Sequence, residues 1–215
     1  MTVSRSAELF DPDRLLAFSD GVFGVAITLL VIDVHLPPFQ TESDDLALLQ
    51  AFWDMVPKLL LFAFTFIVVG MSWLAHHRKF SHIHKVDGRL LWMNLLYLMA
   101  LCLVPFASSV LGEHGSSGFA FVLYASVMTF VEMLSAGLSA YGLQEPFLEG
   151  QSELQPSLWR DMVLSPLLTG AIFAIAAAIA LGGLVKLAHW TLILIVPIMA
   201  FFGSRTPKLS AVQNS

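Results

Sequence analysis

The sequence predicts an all-α protein whose helices cross a membrane six times. Apolar residues fill 57% of its 215 positions and charged ones only 13%, too few polar groups to cover a water-soluble domain. Six apolar segments come near the roughly twenty residues that a helix needs to cross a bilayer core. The gaps between most of them carry helix-stop or turn residues.

The segments are 14–36, 58–76, 88–110, 119–143, 161–183 and 187–203. Pro37-Pro38 closes the first, because proline cannot continue a helix. Ser43-Asp44-Asp45 reads as an N-cap for a short helix over 45–56, which either lies at the interface or extends the second span before Pro57. Gly112 and Gly115-Ser116-Ser117-Gly118 separate the third span from the fourth, and Gly182-Gly183 closes the fifth. No internal repeat appears and no loop exceeds about twenty residues, so residues 1–215 are expected to form one membrane domain.

Lys and Arg are retained on the cytoplasmic side of membranes. With the N-terminus inside, Arg5, Arg14, Arg78, Lys79, Lys85, Arg89, Arg160, Arg205 and Lys208 lie in the cytoplasm, and only Lys58 and Lys186 face out. Both termini are therefore expected to be cytoplasmic. Trp53, Trp73, Trp92, Trp159 and Trp190 fall mostly near span ends, as interfacial anchors do. The first dozen residues hold no apolar stretch of the signal-peptide kind, so the first helix is expected to remain in the mature protein. Cys102, the single cysteine, is expected to fill space between helices. The formal charge is only −5 and no Lys/Arg-rich run occurs, which argues against a nucleic-acid partner.

Chemistry concentrates in the first helix. Arg14 and Asp20 lie in or at the edge of a span, where ionisable groups cost several kcal/mol unless paired or wet. At about 100° per residue, Val25, Thr28, Leu29 and Ile32 share one stripe. Ala17, Gly21, Gly24 and Thr28 line its flank, and small residues at such spacing let backbones approach closely. Ser19 and Asp20 point elsewhere. A helix that crowds against copies of itself fits this pattern; so does an ordinary buried helix with one satisfied carboxylate.

The run Arg14, Phe18-Ser19-Asp20, then Gly21-Val-Phe-Gly-Val-Ala-Ile-Thr-Leu-Leu30 resembles the signature of the transmembrane protein 175 family of endosomal and lysosomal potassium channels and their prokaryotic relatives. Trp73, His76-His77, Asn94 and Pro105-Phe106 also sit as that resemblance expects. The resemblance implies a pore lined by the first helix of each subunit. Val25 would then form an apolar constriction, with Leu29 and Ile32 one and two turns outward, and Thr28 a polar ring near which a potassium ion sits. No Thr-Val-Gly-Tyr-Gly loop exists, so a carbonyl-lined filter is not expected. The family more often carries Ile or Leu at the constriction, so Val25 gives a wider ring. One chain supplies one lining helix, which implies several copies, most simply a cyclic homotetramer in a cell membrane. The permeant potassium ion is the only ligand implied, and no cofactor or enzymatic activity is expected.

Arg14, Ser19 and Asp20, with Phe18 of the same motif, are expected to form a hydrogen-bonded brace with Trp73, His76 or His77 on the second helix that holds the first helix in place. Asp33 and His35 either gather cations at the outer mouth or are simply solvated. Glu132, in the middle of an apolar stretch, requires a partner such as Tyr97 or Ser126, or an aqueous crevice. The run His76-His77-Arg-Lys-Phe-Ser-His82-Ile-His84 is a weak metal candidate, because Arg78 and Lys79 oppose a cation there. Two other function classes are an intramembrane protease and a secondary transporter. Gly115-Ser116-Ser117-Gly118 with His189 matches the Gly-x-Ser-Gly of rhomboid-type proteases, and a secondary transporter would need broken helices in an internal repeat.

Overall fold

The structure, a computed structural model, describes residues 12–32, 34–35, 45–144, 147 and 158–203. Helix α1 (Pro12–Leu29) opens on a proline, whose missing N–H costs nothing in a first turn. Past Leu29 the amides of Leu30, Val31, Ile32 and Val34 each bond the carbonyl three residues back, so the segment overwinds and leaves the α-helix. The first helix is therefore shorter than the predicted 14–36. Asp33 and Pro37-Pro38 lie outside the described residues, as do Arg5, Ser43-Asp44, Arg205 and Lys208.

Helix α2 (Asp45–Phe80) runs unbroken for 36 residues, about 54 Å at 1.5 Å per residue. This decides between the two expectations for 45–56: the stretch extends the second span. Pro57 lies inside the helix and deprives the Trp53 carbonyl of its donor, but Trp53 is exposed, so water can serve that carbonyl at a membrane boundary.

The predicted span 88–110 is two stacked helices, α3 (Gly88–Leu101) and α4 (Val104–Glu113). Asp87 caps α3, its carboxylate accepting from Leu90 N at 2.8 Å. Pro105 begins α4; without an N–H for the Leu101 carbonyl, the chain turns through Cys102 and Leu103. That turn leaves Cys102 exposed, contrary to the expectation that it fills space between helices. Ser117 caps α5 (Gly118–Gly142), accepting from Ala120 N.

A π-helical turn, Arg160–Leu164, leads into α6 (Ser165–Leu181). Gly182 and Gly183 end α6, and the φ of +83° at Gly183 is a left-handed conformation that suits glycine. The last predicted span is likewise broken, into α7 (Val185–Thr191), a 3-10 turn (Leu192–Leu194) and α8 (Ile195–Gly203). Pro197 near the start of α8 supplies no N–H to the turn before it.

The protein is thus mostly helical. Among the described residues five stretches are long and apolar enough to cross a membrane: Asp45–Phe80, Gly88–Glu113, Gly118–Gly142, Arg160–Leu181 and Val185–Phe202. Helix α1 carries Asp13, Arg14 and Asp20 within its 18 residues and is the remaining long element. Trp53, Trp92, Trp159 and Trp190 are exposed, as anchors should be, whereas Trp73 is half-buried and turns toward α1.

One core joins the helices, with Phe23, Val68, Leu90, Tyr97, Leu101, Tyr124 and Phe173 fully enclosed. Thr65 on α2 ties three helices together, lying 2.9 Å from the Tyr124 hydroxyl and 3.5 Å from that of Ser108. Helices α5 and α6 approach closely where Gly170 meets Glu132: a Cβ at Gly170 would come within 3.2 Å of the Glu132 Cβ. Gly170→Val is therefore expected to destabilise the protein by about 1–3 kcal/mol through overpacking. Gly137→Ala, whose added carbon meets only Met93 at 3.8 Å, should be close to neutral. Thermal melts of the two variants in detergent check the contrast; equal melting temperatures would contradict it.

Candidate functional site

Helix α1 has two faces of different character. Leu15, Ser19, Phe23, Ala26 and Leu30, spaced three or four apart, are buried against the rest of the chain. The opposite face, Ala17, Phe18, Gly21, Gly24, Val25, Thr28, Leu29 and Ile32, is exposed. Val25 is 58% and Ile32 64% exposed, and no atom lies within 4 Å of a Cβ built at Gly21 or Gly24. The side chain of Thr28 is oriented from within. Its Oγ1 lies 2.9 Å from Val25 O and 3.0 Å from Gly24 O and donates its one proton there. What the hydroxyl turns outward is therefore lone pairs.

The inward face is held by hydrogen bonds. Ser19 Oγ donates to Leu15 O at 2.8 Å and accepts from Asn94 Nδ2 at 3.0 Å. Asn94 Oδ1 lies 2.8 Å from His76 Nε2; since the amide oxygen can only accept, Nε2 carries the proton. Ser19, Asn94 and His76 are all at most 1% exposed, so the chain from α1 through α3 to α2 is sealed from solvent. Next to it Trp73 Nε1 donates to Asp20 Oδ1 at 2.8 Å. Aromatic contacts fill the surroundings. Phe23 lies 5.5 Å from the His76 ring, and Tyr97 stacks on His76 at 5.7 Å with planes 7° apart.

The structure thus brings Ser19, Asp20, Trp73 and His76 together. His77 only flanks this group, exposed, with its ring 6.0 Å from that of Trp73. Arg14 and Phe18 stay on the open face, outside these hydrogen bonds. Asn94 is the central member that side-chain reasoning left out of the brace. Its signal was present: an amide six residues into an apolar helix requires partners.

A second polar cluster lies deeper. Glu132 is 2% exposed, and Ser72 Oγ, 3.2 Å from its Oε1, is its partner. Neither Tyr97 nor Ser126 serves: the Tyr97 hydroxyl has no hydrogen-bond partner and Ser126 is exposed. Lys79, expected among the cytoplasmic cations, is 1% exposed, with Nζ 3.0 Å from Ser135 O and 6.0 Å above the Tyr97 ring centre. Nothing in its sequence neighbourhood, basic and next to a span end, marked it as buried.

Among the described residues no group of three His, Cys, Asp or Glu side chains converges as metal ligands do. The protease-like residues are otherwise engaged. Ser117 caps α5 and His189 Nδ1 lies 2.9 Å from Val185 O. His35 is exposed near the end of the first segment.

The brace and the open face lie within residues 14–105, which match the sequence profile of the family described as endosomal/lysosomal potassium channel TMEM175. Over those residues this chain is similar to the TMEM175 family. A potassium channel of Streptomyces collinus is 39% identical over 101 residues, 47% of this chain and 48% of its own length. The zebrafish (Danio rerio) endosomal/lysosomal proton channel TMEM175 is 26% identical over 135 residues, 63% of this chain and 26% of its own length. The chain thus spans about half the length of the first relative and a quarter of the second. The crystal structure of a lysosomal potassium-selective channel TMEM175 homologue from Chamaesiphon minutus superposes with a TM-score of 0.76 at 24% identity, covering 90% of this chain and 98% of that one. At that identity the likeness is one of fold, and it reaches well past the matched residues into the last helices. These relatives are channels and none is an enzyme.

Proposed function

We propose that this TMEM175 relative forms a potassium-permeable, potassium-preferring cation channel as a homotetramer, with one α1 helix from each subunit lining the pore. The observation that carries the reading is the open face of α1. A helix in lipid gains nothing from a stripe of Gly21, Gly24 and Thr28 facing outward, whereas packed copies around an axis use small residues for close approach. Around such an axis Val25, Leu29 and Ile32 form the apolar constriction. A ring narrower than a hydrated ion dewets and blocks, and a modest widening readmits water and ions.

Thr28 supplies the polar ring. Because its proton is committed to the backbone, its oxygen faces the pore as an acceptor and replaces part of the hydration shell of a potassium ion, which gives up water more readily than sodium does. Thr28→Ala is expected to keep conduction and to weaken potassium over sodium discrimination by about an order of magnitude, the worth of roughly 1.4 kcal/mol of lost coordination. Reversal potentials in planar bilayers measure it; an unchanged ratio would remove Thr28 from the pathway. Proton permeation, which the names of the vertebrate relatives suggest, is tested in liposomes with a pH-sensitive dye and no potassium gradient.

The brace then sets where α1 stands. Ser19, Asp20, Trp73, Asn94 and His76 tie it to α2 and α3, so the lining face is held at a fixed angle. The distribution of Lys and Arg supports a reading in which the channel lies in the cell membrane with the start of α1 and the α2 to α3 connection on the cytoplasmic side. An export-dependent reporter fused after Ser215 is expected to be inactive, and activity would reverse the topology.

A further inference from the structure

A cavity of about 520 Å³ opens between α2, the end of α4 and the α7 to 3-10 corner. Its walls are Leu61, Phe64, Leu111, Leu192 and Ile193, and its rim carries Lys58 and Trp190. The size falls within the roughly 300–1,000 Å³ of ordinary ligand sites. Its level along the helices follows from the fold. Helix α2 exceeds the bilayer core by about 24 Å, and Pro57-Lys58 lies beside Gly112 and Glu113, where α4 ends. The rim is therefore at the membrane boundary and the apolar walls run down into the hydrocarbon.

The rim is built to a specific charge pattern. The aliphatic stem of Lys58 lies on Gly112, where any Cβ would meet its Cγ at 3.2 Å. Its ammonium ends 4.0 Å from Glu113 Oε1, beyond hydrogen-bond distance, with the Glu113 side chain half exposed. Lys58, its side chain 18% exposed, thus lines the mouth of a hydrocarbon slot, and Glu113, next in sequence to the lining Gly112, stands beside it as a long ion-pair partner. Exposed Trp190 adds an indole N–H at the same level.

We infer that this groove binds one acyl chain of a zwitterionic aminophospholipid, its phosphate on Lys58 and its ammonium on Glu113. Phosphatidylethanolamine satisfies both partners, since its ammonium has N–H donors for the carboxylate. Phosphatidylcholine has no such donors, and phosphatidylglycerol has no cation for Glu113.

Delipidated protein titrated with each of the three lipids, and followed by thermal melting and by native mass spectrometry, tests the assignment. Phosphatidylethanolamine is expected to bind about tenfold more tightly than the other two, the effect of one charge-assisted hydrogen bond. Glu113→Gln should erase that preference while leaving the fold, and Leu61→Trp, which fills the slot, should abolish saturable binding of all three. Equal stabilisation by the three lipids, or saturable binding that survives Leu61→Trp, would overturn the proposal. So would cross-linking between copies through Ile193→Cys in a Cys102→Ser background, since a second copy would then occupy the groove.

Discussion

Val25→Asn is expected to raise basal potassium flux into liposomes by about tenfold or more. In the proposed assembly each subunit contributes one side chain to a dry ring, and an amide there hydrates what valine keeps dry. Even one hydrogen bond per subunit, worth about 1 kcal/mol net, sums over the ring to several kcal/mol, and every 1.4 kcal/mol off a barrier is tenfold in rate. Val25 is exposed on the open face and lies outside the buried core, so the substitution should not disturb the fold. Phe130→Asn, equally polar and exposed on α5, serves as the control and should leave flux unchanged.

Asn94→Leu is expected to give the largest loss of stability among single substitutions around α1. The amide accepts from His76 and donates to Ser19 inside a sealed space. Removing it strands the His76 N–H and leaves the Ser19 oxygen without its donor. Interhelical hydrogen bonds in bilayers average only about 0.6 kcal/mol, because the dispersed helices find other partners. A buried donor left unpaired adds about 1–3 kcal/mol, for a total near 2–3 kcal/mol. For a chain of this length that lowers the melting temperature by about 5–10 °C. Trp73→Phe removes the single bond to the half-buried Asp20 and should cost less. Tryptophan-independent melts by circular dichroism rank the two, and the reverse order would move the centre of the brace from Asn94 to Asp20.

Much of this architecture is legible in the residues themselves. Apolar run lengths and the glycines at 182 and 183 mark the order of the helices, because both reflect local backbone chemistry. The division of α1 into two faces follows from its period, and Ser19 and Asp20 do turn toward neighbouring helices as their positions on the wheel require. Three features escaped because they depend on partners distant in sequence. Lys79 reads as a cytoplasmic cation, and only the approach of Ser135 and Tyr97 from other helices permits its burial. Glu132 plainly required a partner, yet Ser72, sixty residues earlier, could not be singled out among the many hydroxyls. The prolines at 57 and 105 have opposite outcomes, a helix that continues and a helix that breaks. The difference is set by what surrounds the orphaned carbonyl and not by the proline.

In the proposed channel several α1 helices meet around an axis through their open faces. A particle reconstruction of the intact protein in lipid nanodiscs tests it most directly. Four subunits are expected around one axis, with Val25 the side chain nearest that axis and Thr28 the next polar group along it. An assembly in which the Gly21, Gly24 and Val25 face of α1 points into lipid, or in which another helix lines the axis, would contradict it.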